Sequence, residues 1–237
     1  MEALVLIPPS KSMARGGAPI DQLPSFDYQL GSARARVKSA LARALADSST
    51  DVAGLLSAKN SLLDRYIELS RSPVELRLVA YERYTGVLWR ALAPELLDES
   101  ALVRLLVPSA YYGLVRATDP IIDYRLSFTT SLAPLGKLSM FWAQELQSLR
   151  QFFKGKTVVN LLPNEHRAPL AQGVLSEAQL IDVSIEQGSS PLSGHNAKHV
   201  KGLLARAILS DGLPALDTFS HAHWTLTKSS DSSYYLS

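Results

Sequence analysis

Short apolar runs stopped by proline constrain this 237-residue chain more than any other feature. Ala3-Leu4-Val5-Leu6-Ile7 runs into Pro8-Pro9, Leu102–Val107 into Pro108, and Thr157–Leu162 into Pro163. A fourth run, Leu180–Ile185, alternates Ile181, Val183 and Ile185 with Asp182 and Ser184. Runs of this length, ended by a residue that cannot continue a hydrogen-bonded ladder, read as strands that stop in loops. Several of them carry polar residues just past their C-terminal ends. In an open α/β sheet that edge is where ligands bind.

The intervening sequence reads as helix. Ser32–Ala46 has Ser32 as its expected N-cap and an apolar stripe of Val37, Leu41, Ala44 and Leu45. Asp51–Leu69 reads as a second helical stretch, interrupted near Lys59-Asn60, and Pro73 opens a third that carries Val74, Leu76 and Leu78. Residues 32–90 are thus expected to form a helical subregion inserted after the first strand. The Gly/Pro-rich Arg15–Pro19 segment is expected to be an exposed, mobile loop, and the Ser-rich 229–237 stretch a frayed tail. The expected fold class is α/β, a mixed sheet with flanking helices, in a single domain spanning 1–237.

Composition narrows the function classes. The chain has no cysteine, which excludes disulfides, thiolate metal sites and cysteine nucleophiles. Hydrophobic residues at 46% and charged residues at 19% are ordinary for a globular chain. No apolar run reaches the roughly 18 residues of a membrane span, and Met1–Ile7 lacks the basic start of a signal peptide. A cytoplasmic protein with no membrane partner is the expectation. A net charge of +2 is low for a dedicated non-specific nucleic-acid binder, so any such surface must be local. There is no Walker A loop, dinucleotide G-x-G-x-x-G, G-x-S-x-G elbow or H-E-x-x-H, and no cofactor is expected.

Five segments hold the candidate site residues. Ser10 and Lys11 follow the first strand, where a lysine can point a cation into a cleft. Ser109–Leu126 contains Ser109, Tyr112, Arg116, Tyr124 and Arg125, a set that suits phosphate or carboxylate recognition and equally an internal ion-pair network with Asp119 and Asp123. Asn160 and Asn164-Glu165-His166 follow the third run; Glu165 and His166 are of the types used for acid–base work. His195–Leu209 reads as an amphipathic helix. Its apolar face is Val200, Leu203, Leu204, Ala207 and Ile208, and its charged face holds Lys198, His199, Lys201, Gly202, Ala205 and Arg206. A glycine there admits close approach of a ligand or another segment at about 1 kcal/mol in helix propensity. His221 and His223 share a strand face at i, i+2, but no third ligand is evident nearby and no metal is expected.

Taken in order, these segments resemble the YaaA family. Leu4-Val5-Leu6-Ile7-Pro8-Pro9-Ser10-Lys11 resembles its opening, and Tyr84-Thr85-Gly86 its Tyr-x-Gly element. Ser109–Leu126 resembles its longest motif, S-x-x-Y-G-x-x-R-x-x-D-x-x-x-x-Y-R-L. Phe141-Trp142 matches a Phe-Trp pair, Asn160-Leu161 with Asn164-Glu165-His166 resembles N-L-x-x-x-E-Y, and Ala197–Arg206 resembles A-K-x-x-[KR]-G-x-x-x-R. The resemblance implies a cytoplasmic α/β protein with a helix-hairpin-helix-like portion, linked to peroxide stress, DNA binding and limitation of damage from intracellular iron. Departures are Ala117-Thr118 in place of a proline-containing step, His166 in place of tyrosine, Ser127-Phe128 after Tyr124-Arg125-Leu126, and no Gly-x-Gly hairpin within Val37–Leu69.

Two functional readings follow. In the first, the chain is a stress-protective protein whose anion site contacts DNA phosphates through Lys11, Arg116, Arg125, Lys198, Lys201 and Arg206. In the second, it is a lyase, transferase or hydrolase acting on a small anionic nucleotide, nucleoside or amino-acid derivative. There Lys11 or Lys198 is the clamp or base and Tyr124 or Glu165 the proton donor or acceptor. Ser10, Ser109, Tyr112, Asn160, His166 and Gly202 complete the candidate ligand-binding set.

Overall fold

The computed structural model describes residues 2–170, 173–185, 194–222 and 224–236, apart from the side chain of His195. The chain opens with β1 (Leu4–Leu6) and three helices, α1 (Asp27–Ala46), α2 (Val52–Leu56) and α3 (Asn60–Arg71). A short strand, β2 (Arg77–Val79), precedes α4 (Ala80–Arg83), α5 (Val87–Leu92) and α6 (Glu99–Leu102). Strands β3 (Leu105–Ser109), β4 (Gly113–Arg116) and β5 (Pro120–Ile122) follow, then the small hairpin β6 (Ser131–Leu132) and β7 (Gly136–Lys137). After α7 (Leu138–Glu145) and α8 (Arg150–Phe153) come β8 (Thr157–Asn160), α9 (Asn164–Arg167) and β9 (Gln179–Ile185). The last elements are α10 (Gly194–Asp211), α11 (Ala215–Thr218), β10 (Ser220–His221), β11 (Trp224–Ser230) and β12 (Ser233–Leu236).

The main sheet has the order β10-β11-β12-β9-β8-β1-β3-β4. Its middle strands β12, β9, β8, β1 and β3 run parallel, and β4 and β11 are antiparallel to their neighbours. The fold is therefore a mixed α/β sheet with flanking helices. Successive side chains of a strand face opposite ways, and the two faces have separate cores. Val5, Ile7, Val159, Leu161 and Val183 pack with Leu88, Trp89, Leu92, Val200, Leu204 and Ile208 of α5 and α10. Leu4, Leu6, Val158 and Leu162 pack with Leu30, Val37, Phe141, Trp142 and Phe153 of α1, α7 and α8.

Several expectations need correction. Helix α1 begins five residues before Ser32, which sits exposed within it, and Phe26 in a left-handed conformation occupies the N-cap. The third helix expected from Pro73 is a strand: Leu78 pairs opposite Ile121 of β5, and the Val74, Leu76, Leu78 spacing has the period of two that a strand requires. The 32–90 region is thus helical with a strand in it. The Ser-rich end is also strand, and Tyr234 and Leu236 of β12 are buried against β9. Arg15–Pro19 is exposed yet tied down. Ala18 and Arg77 exchange backbone hydrogen bonds of 3.0 and 2.8 Å, and the Arg83 guanidinium donates to Ala14 and Gly16 carbonyls at 2.7 and 3.1 Å.

Helix α10 also buries more than the expected stripe. Gly202 and Ala205 are buried, whereas Leu203 and Ala207 are half-buried. Gly202 faces α5: a Cβ built there lies 2.2 Å from the Leu88 carbonyl oxygen and 3.0 Å from the Leu92 nitrogen. Those are backbone atoms and cannot rotate away. Gly202→Ala should therefore destabilise the protein by about 1–3 kcal/mol through overpacking, despite alanine's better helix propensity. Chemical denaturation checks this; an unchanged or increased stability contradicts the packing described.

Candidate functional site

Parallel pairing brings the C-terminal ends of β1, β3, β8 and β9 to one edge, and most of the candidate residues gather there. Beyond β1, the loop that carries Ser10 and Lys11 is fixed by the segment leading into α5. Trp89 Nε1 donates to the Pro8 carbonyl at 3.2 Å, and the Thr85 nitrogen donates to the Ser12 carbonyl at 3.0 Å. A Cβ at Gly86 would lie 2.4 Å from Ser10 Oγ. The glycine of the Tyr-x-Gly element is there for space, since its φ of −71° is open to any residue. Ser10 Oγ in turn accepts from the Ser12 nitrogen at 3.1 Å and shapes the turn around Lys11.

Beyond β8, the start of α9 presents Glu165 and His166. Glu165 is exposed, and its Oε1 accepts a 2.8 Å hydrogen bond from Ser127 Oγ. The His166 ring stands edge-on to Phe128, with centroids 6.0 Å apart, and its Nδ1 is buried without a hydrogen-bond partner among the described residues. Burial holds the imidazole pKa below its ordinary value; the Glu165 carboxylate opposes this, and the charges of Lys11 and Lys198 reinforce it. The two lysines thus converge on one ring from opposite ends of the sequence. Both are exposed, and neither ammonium has a hydrogen bond or ion pair among the described residues.

Lys201, one turn further along α10, is half-buried. Its Nζ donates to the Leu161 carbonyl at 2.9 Å and more weakly to Val183 at 3.5 Å, tying the ends of β8 and β9 to the helix. Asn160 is also enclosed: its Nδ2 donates to Asp182 Oδ1 at 2.8 Å, and its Oδ1 accepts from the Leu162 nitrogen at 3.1 Å. Arg167 donates to the same Asp182 oxygen at 2.7 Å. Neither Arg167 nor this use of Asp182 was legible beforehand, because Asp182 meets Asn160 only through the β8–β9 register.

Arg125 reaches the edge but points its donors at backbone. Its Nε and Nη2 bond the carbonyls of Leu56 and Ser57 at 2.9 Å each, and Nη1 bonds that of Lys11 at 3.4 Å. It thereby holds the short α2–α3 connection beside the Lys11 loop. Tyr124 lies deeper. Ser109 Oγ donates to its hydroxyl at 2.8 Å, and that hydroxyl shares a 2.9 Å hydrogen bond with Tyr84. Burial raises the pKa of both phenols, so both stay protonated at neutral pH. Ser109 Oγ also accepts from the Tyr111 and Tyr112 nitrogens, and the Tyr112 hydroxyl accepts from the Ile122 nitrogen. This buried hydroxyl cluster shapes the turn after β3 from beneath.

The remaining candidates lie away from the edge. Arg116 closes β4, paired opposite Leu106, where it donates to the Val103 carbonyl and stacks over Phe26 and Phe152. Gly202 lies against α5. Arg206, half-buried, sits more than a turn beyond Lys201 on α10. His221 stands 6.0 Å from His199 between ring centroids; His223 lies outside the described residues. No described helix is long and apolar enough to cross a membrane.

The architecture defines a mixed α/β protein with lysines at the C-terminal edge of its sheet. Residues 3–228 match the family model described as peroxide stress protein YaaA, and the chain belongs to that family. A UPF0246 protein of Corynebacterium glutamicum is 32% identical over 212 residues, covering 86% of this chain and 84% of its own. A UPF0246 protein of Corynebacterium efficiens is 32% identical over 215 residues with the same coverage, and one from Ruegeria is 30% identical over 148 residues, 56% of this chain and 59% of its own. Membership associates the chain with peroxide stress.

Lys201 gives this edge a pH signature. Burial, reinforced by the Arg167 charge, lowers its pKa from 10.5 to about 8. Between those values Lys201 binds more protons in the unfolded chain than in the folded one, so this residue's contribution to stability rises as pH increases from 8 towards 10.5. Denaturation across this window should show a more positive slope of stability with pH in wild type than in Lys201→Met. Equal slopes would contradict the burial of a titrating ammonium.

Proposed function

We propose that this edge is an anion site for the phosphates of nucleic acid, and that the protein serves peroxide-stress protection in the cytoplasm by binding DNA through it. The observation that carries the reading is that two exposed ammonium groups, Lys11 and Lys198, unpaired among the described residues, both act on the His166 ring. Ammonium groups without carboxylate partners remain free to neutralise phosphate, and an open edge suits a polymer better than an enclosed pocket does. The α2–α3 connection, held beside Lys11 by Arg125, extends the surface with backbone rather than with further charge. It lacks hairpin glycines, so the lysines carry the phosphate contacts here.

A second reading, an enzyme for a small anionic substrate, is supported by His166. Its lowered pKa keeps the ring neutral at pH 7. A neutral imidazole next to Glu165 and under the influence of two cations has the make-up of a general base beside a substrate clamp. Tyr124, enclosed by Tyr84 and Ser109, supports this reading only as part of the scaffold.

The test is duplex DNA affinity as a function of salt. Affinity should fall steeply with salt, and Lys11→Ala and Lys198→Ala should each weaken binding and reduce the magnitude of the log–log slope by about 1. His166→Gln should leave duplex affinity within about twofold, since the ring is neutral and contributes no phosphate charge. No duplex affinity at low salt, or slopes unchanged in both lysine variants, would overturn the DNA reading and leave the small-substrate reading to be pursued.

A further inference from the structure

A pair of exposed imidazoles takes no part in the site proposed above. The His199 ring on α10 and the His221 ring on β10 have centroids 6.0 Å apart, with their planes tilted by 49°. Both residues are exposed, and neither ring has a hydrogen bond or ion pair among the described residues. Their backbones are fixed from the core side. Val200, next to His199, is buried, and His221 pairs across the β10–β11 hairpin with Trp224, which is also buried. The sequence offered His221 only His223 as a companion; the fold supplies His199, from an element 22 residues away.

Imidazole is a ligand for zinc, copper and nickel. Two imidazoles on one zinc ion, with Zn–N of about 2.1 Å, hold their ring centroids roughly 5–6 Å apart. The spacing of His199 and His221 therefore needs at most a small rotation of two exposed side chains to meet one ion. No third His, Cys, Asp or Glu side chain joins them among the described residues, so this pair leaves coordination positions open to water. We propose that His199 and His221 form a surface site for a transition-metal ion of the zinc, nickel or copper class, which ties α10 to β10. The assignment does not depend on the lysine edge, because no lysine is a ligand.

Calorimetric titration of the full chain, free of any affinity tag, with zinc and with magnesium tests it. One equivalent of zinc should bind, and magnesium, which prefers oxygen ligands, should not compete. His199→Gln and His221→Gln should each weaken zinc binding at least tenfold, whereas His166→Gln should leave it unchanged. Zinc should raise the melting temperature of the wild type and not that of the two weakened variants, since a ligand that binds only the native state stabilises it. Both rings are exposed, so the variants should fold, and circular dichroism verifies that they do. Absence of zinc binding to the wild type, unchanged affinity in either folded variant at 199 or 221, loss of binding in His166→Gln, or equal binding of magnesium would each overturn the proposal.

Discussion

The contact between α5 and α10 at Gly202 is the constraint on which the site depends. Without a side chain at 202, α10 lies directly on the Leu88 carbonyl and the Leu92 nitrogen. Each helix carries one half of the lysine edge. Helix α10 holds Lys198 and Lys201. Gly86 and Trp89, at the start of and within α5, fix the turn that holds Ser10 and Lys11. A contact of backbone on backbone has no flexible side chain to absorb error, so the separation of the two halves is set by packing rather than by the site's own polar groups.

Charge is divided by residue type in a way that follows from geometry. The planar guanidinium fork satisfies several carbonyls at once, and the buried or half-buried arginines do this repeatedly. Arg34 bonds the carbonyls of Pro24, Ser25, Tyr112 and Leu114; Arg83 bonds those of Ala14, Gly16, Leu76 and Ile121; Arg125 bonds those of Leu56, Ser57 and Lys11. They close loops that have few ladder hydrogen bonds of their own. Lys11 and Lys198 are left as solvated point charges at the edge. A nearly neutral chain can in this way present a local cationic surface.

The central strands and their polar C-terminal ends were legible because proline and apolar runs are local signals. The gathering of Lys11, Glu165, His166 and Lys198 followed from that edge and from the ordered motifs. Register was not legible, and register is what brings Asp182 to Asn160, where Arg167 joins it. Arg116 and Arg125 were read as ligand contacts because a guanidinium recognises a phosphate and a cluster of carbonyls by the same hydrogen bonds, and sequence carries no sign of which is near. Gly202 admitted either a ligand or a segment on sequence grounds; the segment is α5. The strand at 77–79 was missed where a proline at a helix-like start outweighed a period-two pattern in the next five residues.

The central claim is that Lys11 and Lys198 jointly bind phosphate above His166. NMR titration of the His166 ring, without and with saturating duplex DNA, tests it most directly. Both lysines lower the His166 pKa in the free protein, so a phosphate that neutralises them should raise it. An imidazole pKa that rises on DNA binding, and rises less in Lys198→Ala, is the predicted result. A duplex that binds while the His166 titration stays where it was would contradict the claim.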